Sequence, residues 1–249
     1  LVAALLPNSI ILSAIFLREM FSTFFVACSL LFFIKWFLKP RMLHMVMSLF
    51  MLALSSRFHS GVVGLFFGYA YAFMFYKHEK KGFSFLPRNI VVFVGLILTV
   101  FLVTNVYQDQ LLGKFQRVDE IEDVFNTANS RRGGSSYLLN LKINNLPQLV
   151  LYAPIKMIYF LGAPMPWDWR GGLDLFTFIT DSLIYLTMLY VFVRTILSNR
   201  TLPLTRVLML CILGTVLIFG VGVSNAGTAI RHRQKLLPVF LITFSFITN

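Results

Sequence analysis

The stretch Val207–Ile247, VLMLCILGTVLIFGVGVSNAGTAIRHRQKLLPVFLITFSFI, sets two apolar runs, Val207–Val223 and Leu236–Ile247, around a basic block. Arg231, His232, Arg233 and Lys235 fall within five residues of one another there. A helix needs about 20 mostly apolar residues to cross a hydrocarbon core about 30 Å thick. The first run therefore reads as a membrane span and the second as the beginning of another. The side of the membrane on which the basic block lies then decides the layout, and with it what those cations meet.

Working outward, further spans are predicted at Phe21–Leu38, Ile90–Val106 and Asp174–Leu197, with shorter apolar runs at Met42–Ser55 and Gly61–Tyr76. The two short runs meet at Ser56-Arg57-Phe58-His59-Ser60 and read either as two thin spans or as one dipping hairpin. Leu1–Phe16 reads as a truncated or shallow helix. The only long polar segment is Tyr107–Gln148, within which Val118, Ile121, Val124 and Phe125 share one face of a short amphipathic helix. Leu149–Trp169 contains Pro154, Pro164 and Pro166 and is predicted to be re-entrant or interfacial. Composition agrees: the 249 residues are 57% hydrophobic and only 13% charged, far short of the polar surface a soluble domain needs. The expected fold is all-α, a polytopic transmembrane helical bundle with a long outer-face loop. Residues 1–249 form one transmembrane domain, read as a fragment of a longer chain because both ends lie in apolar sequence.

Orientation follows from the basic loops. Lys35, Lys39, Arg41, Lys77, Lys80, Lys81, Arg88, Arg194, Arg200 and Arg206 lie in loops where Glu79 is the only acid, so the positive-inside rule makes them cytoplasmic. Counting spans from there puts Arg18, Glu19, Arg57, the Tyr107–Gln148 loop and the basic block on the outer face. Ten of the 22 Lys and Arg residues are thereby explained. The remaining twelve stand where the rule predicts scarcity, and so need another reason.

Outward Arg residues between helix ends suit a lipid-linked phosphate or pyrophosphate, because the guanidinium fork pairs bidentately with phosphate oxygens and stays charged. Snorkelling or pairing with loop acids is the structural alternative. Arg231 and Arg233 diverge if the segment is helical and share a side if it is extended. His232 reads as an anion contact or as an acid–base group, and Glu19 as a base or as a counter-ion of Arg18 or Arg57. The pair Arg131-Arg132, followed by Gly133-Gly134-Ser135-Ser136, reads as an anion nest or as a flexible basic loop. Trp167 and Trp169 read as sugar-stacking rings or interfacial anchors. Asp181, deep in a span, is expected to face the bundle interior with a partner. Cys28 and Cys211 read as packing residues. No HExxH, Walker, GxSxG or DxD pattern and no Cys/His metal spacing is present, so neither metal nor cofactor is expected.

The order of these motifs resembles the bacterial Wzy-type polysaccharide (O-antigen or exopolysaccharide) polymerases: LPNSIILSAIFLREM, SSRFHSG, SRRGGSS, FLGAPMPWDW and GTAIRHRQKLLPVF in succession. The resemblance implies a multi-pass GT-C-like glycosyltransferase of the bacterial cytoplasmic (inner) membrane with its active face outward. Its substrate would be an undecaprenyl-pyrophosphate-linked glycan. Its surroundings would be membrane lipids, with a chain-length regulator and a flippase as partners and no nucleic acid. Arg57, Arg131, Arg132, Arg231 and Arg233 would hold the pyrophosphate, and Glu19 or His232 would activate the acceptor hydroxyl. Two other classes compete. A lipid-linked-oligosaccharide flippase or transporter should show repeat symmetry and midplane charges, and only Asp181 is deep. A pyrophosphate-lipid phosphatase would need a second His near the basic block, and none is near in sequence.

Overall fold

The computed structural model describes residues 18–85, 90, 134–139, 141–198 and 201–248. Helix α1 spans Arg18–Leu38 and stops before Pro40, since the residue ahead of a proline leaves helical geometry. Helix α2 covers Met42–Phe58 and breaks at His59. A 3-10 turn, Ser60–Gly64, leads into α3, Leu65–Phe75. A two-residue hairpin follows, β1 (Tyr76–Lys77) against β2 (Gly82–Phe83), antiparallel, with Tyr76 opposite Phe83. Helix α4, Leu146–Gly162, is capped by Asn145, whose side chain accepts from the Gln148 amide at 2.9 Å. Helix α5 (Gly172–Thr177), a π-helical turn (Phe178–Ser182) and α6 (Leu183–Leu197) run on without a break. Helix α7 is Pro203–Gly222 and α8 is Ala226–Thr248.

The chain is helical, and among the described residues the hairpin supplies the only strands. Glu19–Leu38, Gly172–Leu197 and Pro203–Gly222 are long and apolar enough to cross a membrane, while Met42–Phe58 and Ser60–Phe75 are shorter apolar helices. Two expectations change. Residues from Leu149 form a regular helix as far as Gly162 despite Pro154, so the break comes only at Ala163. The last helix begins at Ala226 rather than at the predicted Leu236, so the basic block, read either as helix or as extended chain, is the early part of the continuous helix α8. The Leu1–Phe16 helix, most of the Ile90–Val106 span and the amphipathic helix at 118–125 lie outside the described residues.

Helix α7 is the axis of the packing. Across its apolar span 67% is buried, against 28% for Gly172–Leu197, and α3, α4 and α8 all pack on it. The α3–α7 crossing is close because both surfaces lack side chains where they meet. A Cβ on Gly214 would lie 2.5 Å from the Gly64 carbonyl oxygen, and one on Gly64 would strike the Thr215 backbone. Apolar helices gain little from burial against one another in lipid, so such small-residue contacts and interhelical hydrogen bonds supply much of their association.

Helices α1 and α2 form an antiparallel hairpin registered by serines. Ser22 meets Ser55, hydroxyl to hydroxyl at 2.9 Å. Seven residues on along α1, Ser29 donates to the Ser48 carbonyl at 2.8 Å and contacts the Tyr69 hydroxyl at 3.0 Å. All four serines are fully buried. At the far end of this hairpin Phe37 stacks on Tyr76 and Trp36 meets His78 edge-on. That contact gathers exposed Lys35, Lys39, Arg41, Lys77, Lys80 and Lys81 at one end of the molecule. Arg206, at the start of α7, lies near Tyr71 at the same end.

Gly64→Val should lower stability by about 1–3 kcal/mol through overpacking of the α3–α7 crossing. Thermal unfolding in detergent, with Gly171→Ala as the control because its added Cβ meets nothing within 4 Å, checks it; equal midpoints for the two variants would contradict the close-crossing account.

Candidate functional site

Helix α4 ends inside the protein, and a helix end leaves carbonyl groups with no intrahelical donor. Arg233 supplies the donors. Its guanidinium gives Nη1 to the Phe160 carbonyl at 3.3 Å and to the Leu161 carbonyl, and Nη2 to the Ala163 carbonyl at 2.8 Å. The Ala163 carbonyl also accepts from Ser182 at 2.9 Å. A cation at a helix C-terminus is favoured by the helix dipole as well. Asp181 completes the arrangement: its Oδ2 lies 2.5 Å from Arg233 Nη2, and its Oδ1 accepts from Gln234 at 3.2 Å. The π-helical turn carries both Asp181 and Ser182 inward. Tyr185, one turn further on, donates to the Arg233 carbonyl at 2.9 Å. Arg233 is 0% exposed and Asp181 is 2% exposed. The interior, paired position expected of Asp181 is the one observed. Arg233, expected to grip pyrophosphate, is instead committed to protein carbonyls and a carboxylate.

Because the block is helical, Arg231 and Arg233 point apart, and Arg231 is exposed. His232 turns to a third direction, toward α1 and the α2–α3 turn. Glu19, 5% exposed at the start of α1, places Oε1 at 3.6 Å from His59 Nε2. The His59 ring meets His232 edge-to-face at 5.1 Å between centroids. His232 stacks on Phe219 of α7 at 4.9 Å, and its Nδ1 lies 2.6 Å from the Nζ of fully buried Lys235. Phe219 also fixes the turn, since a Cβ on Gly61 would fall 2.5 Å from its ring. Thus the two expected acid–base residues, Glu19 and His232, do converge, with His59 between them. The second His that the basic block lacks in sequence is supplied by the fold.

Other expected residues are scattered. Arg57 is exposed on the last turn of α2, two residues before His59. Arg131 and Arg132 lie outside the described residues. The chain after them forms a strap over the α7–α8 turn: Ser136 bridges Asn225, the Tyr137 amide donates to the Ser224 carbonyl at 3.0 Å, and the Tyr137 hydroxyl donates to the Val223 carbonyl at 2.9 Å. Burial pushes the Tyr137 hydroxyl well up, and the charge of Arg233 opposes that shift. Beneath the strap Lys156, 2% exposed, donates to Ser224 at 3.3 Å. Trp167 is exposed and donates to the Tyr159 hydroxyl at 2.8 Å, whereas Trp169 is half-buried and donates to the Pro164 carbonyl at 3.1 Å. Between them, burial raises the Asp168 carboxyl, opposed by Arg170.

Sequence reasoning gave His59 little weight, passed over Lys156 and took Lys235 only as one cation of the basic block. Lys156 left the clearest trace: a single cation set among apolar residues, where an ionisable group is costly and needs a partner. Among the described residues no three His, Cys, Asp or Glu side chains are gathered as metal ligands. No protein-family model, curated protein or solved structure matches the chain.

The buried pair makes a sharp thermodynamic prediction. Arg233→Met should destabilise by about 3–5 kcal/mol, since it strands a buried carboxylate and leaves the α4 carbonyls without their donor. Adding Asp181→Leu to Arg233→Met should recover part of that loss. Thermal unfolding of the single and double variants checks this, and a double variant less stable than the single one would contradict it.

Proposed function

We propose that this chain is a metal-independent glycosyltransferase. On this reading it polymerises or ligates undecaprenyl-pyrophosphate-linked oligosaccharide units at the outer face of the bacterial cytoplasmic membrane, within a polytopic helical bundle. The observation that carries the proposal is the meeting of Glu19, His59 and His232 at one end of the helices, opposite the end that gathers the exposed lysines. If the lysine-rich end is cytoplasmic, as the positive-inside rule requires, the carboxylate–imidazole cluster lies outward, where lipid-linked glycans are elongated. Exposed Arg231 and Arg57 flank it on the same helix turns and are suited to bind the pyrophosphate and stabilise it as a leaving group. Trp167, exposed on the turn after α4, offers an aromatic face to a sugar.

A second reading draws on the same contact. Two imidazoles 5.1 Å apart also suit a pyrophosphate-lipid phosphatase, with one ring attacking phosphorus. The products separate the two: glycan transfer gives a longer lipid-linked glycan and leaves the phosphoanhydride intact, whereas the phosphatase releases inorganic phosphate.

Purified protein given lipid-linked repeat units should therefore lengthen the glycan without phosphate release, and chelation with EDTA should leave the rate unchanged. Charge-assisted hydrogen bonds worth about 1.5–3 kcal/mol make Arg231→Ala about 10- to 150-fold slower. Arg231→Lys should recover only part of that, because a lysine cannot reproduce the bidentate fork. Arg206→Ala, at the opposite end, should be near wild type. Normal turnover in Arg231→Ala would remove this residue from the anion site.

A further inference from the structure

Helix α4 packs on both α6 and α7, yet those two, consecutive in the chain, stand apart. The cavity between them measures about 730 Å³, within the range of about 300–1,000 Å³ found for sites that enclose small-molecule ligands. Its lining side chains are apolar except for Tyr71, Thr201 and Arg206, and those three lie together at the start of α7. Arg206 is exposed, and its Nε donates to Thr201 Oγ1 at 2.5 Å. Among the described residues that is its only side-chain hydrogen bond, so Nη1 and Nη2 remain for an anion. From Arg206 the lining follows α7 as far as Val216. That is about 15 Å of helix at about 1.5 Å per residue, half of a hydrocarbon core about 30 Å thick. Since α7 is long and apolar enough to cross a membrane, the cavity has the depth of one leaflet and its cation stands at the headgroup end. Val193, Ile196 and Leu213 line it and are each about half exposed, so it opens sideways onto the surface that lipid would touch.

We infer that this cavity seats an acyl chain of an anionic phospholipid, drawn from the leaflet at the lysine-rich end, with the lipid phosphate on Arg206. Basic pockets between membrane helices suit such headgroups, and the guanidinium fork matches two phosphate oxygens at once. Charge selects this occupant over two others. The predicted span Ile90–Val106 carries no acid to meet the guanidinium, and Arg88 stands just ahead of it. A second copy in the same membrane orientation would set its lysine-rich end beside this one, where Glu79 is the only acid in the basic loops. The site lies at the end of α7 opposite the Phe219–His232 contact. It takes no part in glycan transfer and stands or falls apart from that reading.

Two measurements on the full chain test this. In the first, protein in neutral detergent meets equal amounts of dioleoyl phosphatidylglycerol and dioleoyl phosphatidylcholine, and native mass spectrometry reads the lipid it retains. Phosphatidylglycerol should be preferred by about tenfold or more, the usual worth of a charge-assisted hydrogen bond. Arg206→Ala should abolish the preference and Arg206→Lys should keep part of it. Lys39→Ala, which removes a cation from the same end but not from the cavity, should leave it unchanged. Leu213→Trp should displace the lipid with Arg206 still in place. Arg206, Lys39 and Leu213 are all exposed, so these changes leave the core as it is. Equal retention of both lipids by wild type, equal losses in Arg206→Ala and Lys39→Ala, or undiminished retention in Leu213→Trp overturns the site. The second measurement identifies the occupant in vesicles of the same two lipids, with the photocrosslinker p-benzoylphenylalanine in place of Val193. Attachment chiefly to phosphatidylglycerol is the expected result. Attachment to residues 90–106 of the same chain, to a second copy, or to both lipids alike overturns the proposal.

Discussion

The arrangement of the bundle depends on one buried guanidinium. Arg233 ties three helices at a point where each needs it: α4 has terminal carbonyls without donors, α8 carries the cation, and the π-helical turn ahead of α6 brings a carboxylate. An isolated charge in an apolar interior costs several kcal/mol, and it is tolerated when ion pairing and hydrogen bonds occupy its donors. Here the satisfaction is reciprocal, because the carbonyls are as costly to leave unmade as the guanidinium. Helix α4 can therefore stop within the protein. Its end then shapes the surface beside it, since the chain leaves it through the tryptophan-bearing turn.

That anchor also sets the rotation of α8. With Arg233 turned inward toward α4 and α6, helical geometry sends His232 about 100° around the axis toward α1, and Lys235, three residues on, falls on the same side as His232. The serine contacts between α1 and α2 then bring Glu19 and His59 to meet it. Sliding α1 by one turn would part both serine pairs and withdraw Glu19 from His59 together, so the register of a whole hairpin is coupled to one 3.6 Å contact. A polar seam in an apolar pair of helices sets position where hydrophobic burial, being non-directional, cannot.

Much of the fold was legible in the sequence because spans announce themselves by length and apolarity. The predicted Phe21–Leu38, Asp174–Leu197 and Val207–Val223 fall within α1, the α5–α6 run and α7 to within a few residues. Pro154 misled, since a helix can lose one internal hydrogen bond where neighbours support it. At the site, Glu19 and His232 were legible as an acid and an imidazole set beside arginines at the ends of apolar runs, and so was the need of Asp181 for a partner. Arg233 was not, because the same side chain serves an anion ligand or a buried carbonyl cap, and only the rotation of α8 separates the two. His59 was undervalued because its significance lies in a neighbour 173 residues away, which no local pattern reveals.

Sequence separation gives these contacts an order in time. The serine pairs join residues 33 and 19 apart, so the α1–α2 hairpin can register soon after it is synthesised. The carbonyls at the end of α4 wait for an arginine 70 to 73 residues later, and the strap at Tyr137 waits for a carbonyl 86 residues later. At about 5–20 residues per second, α4 leaves the ribosome several seconds before its cap exists. During that interval its end needs water or lipid headgroups as surrogate donors. Among the described helices the contact between His59 and His232 therefore forms late, since it waits for α8 to dock against α1 and the α2–α3 turn.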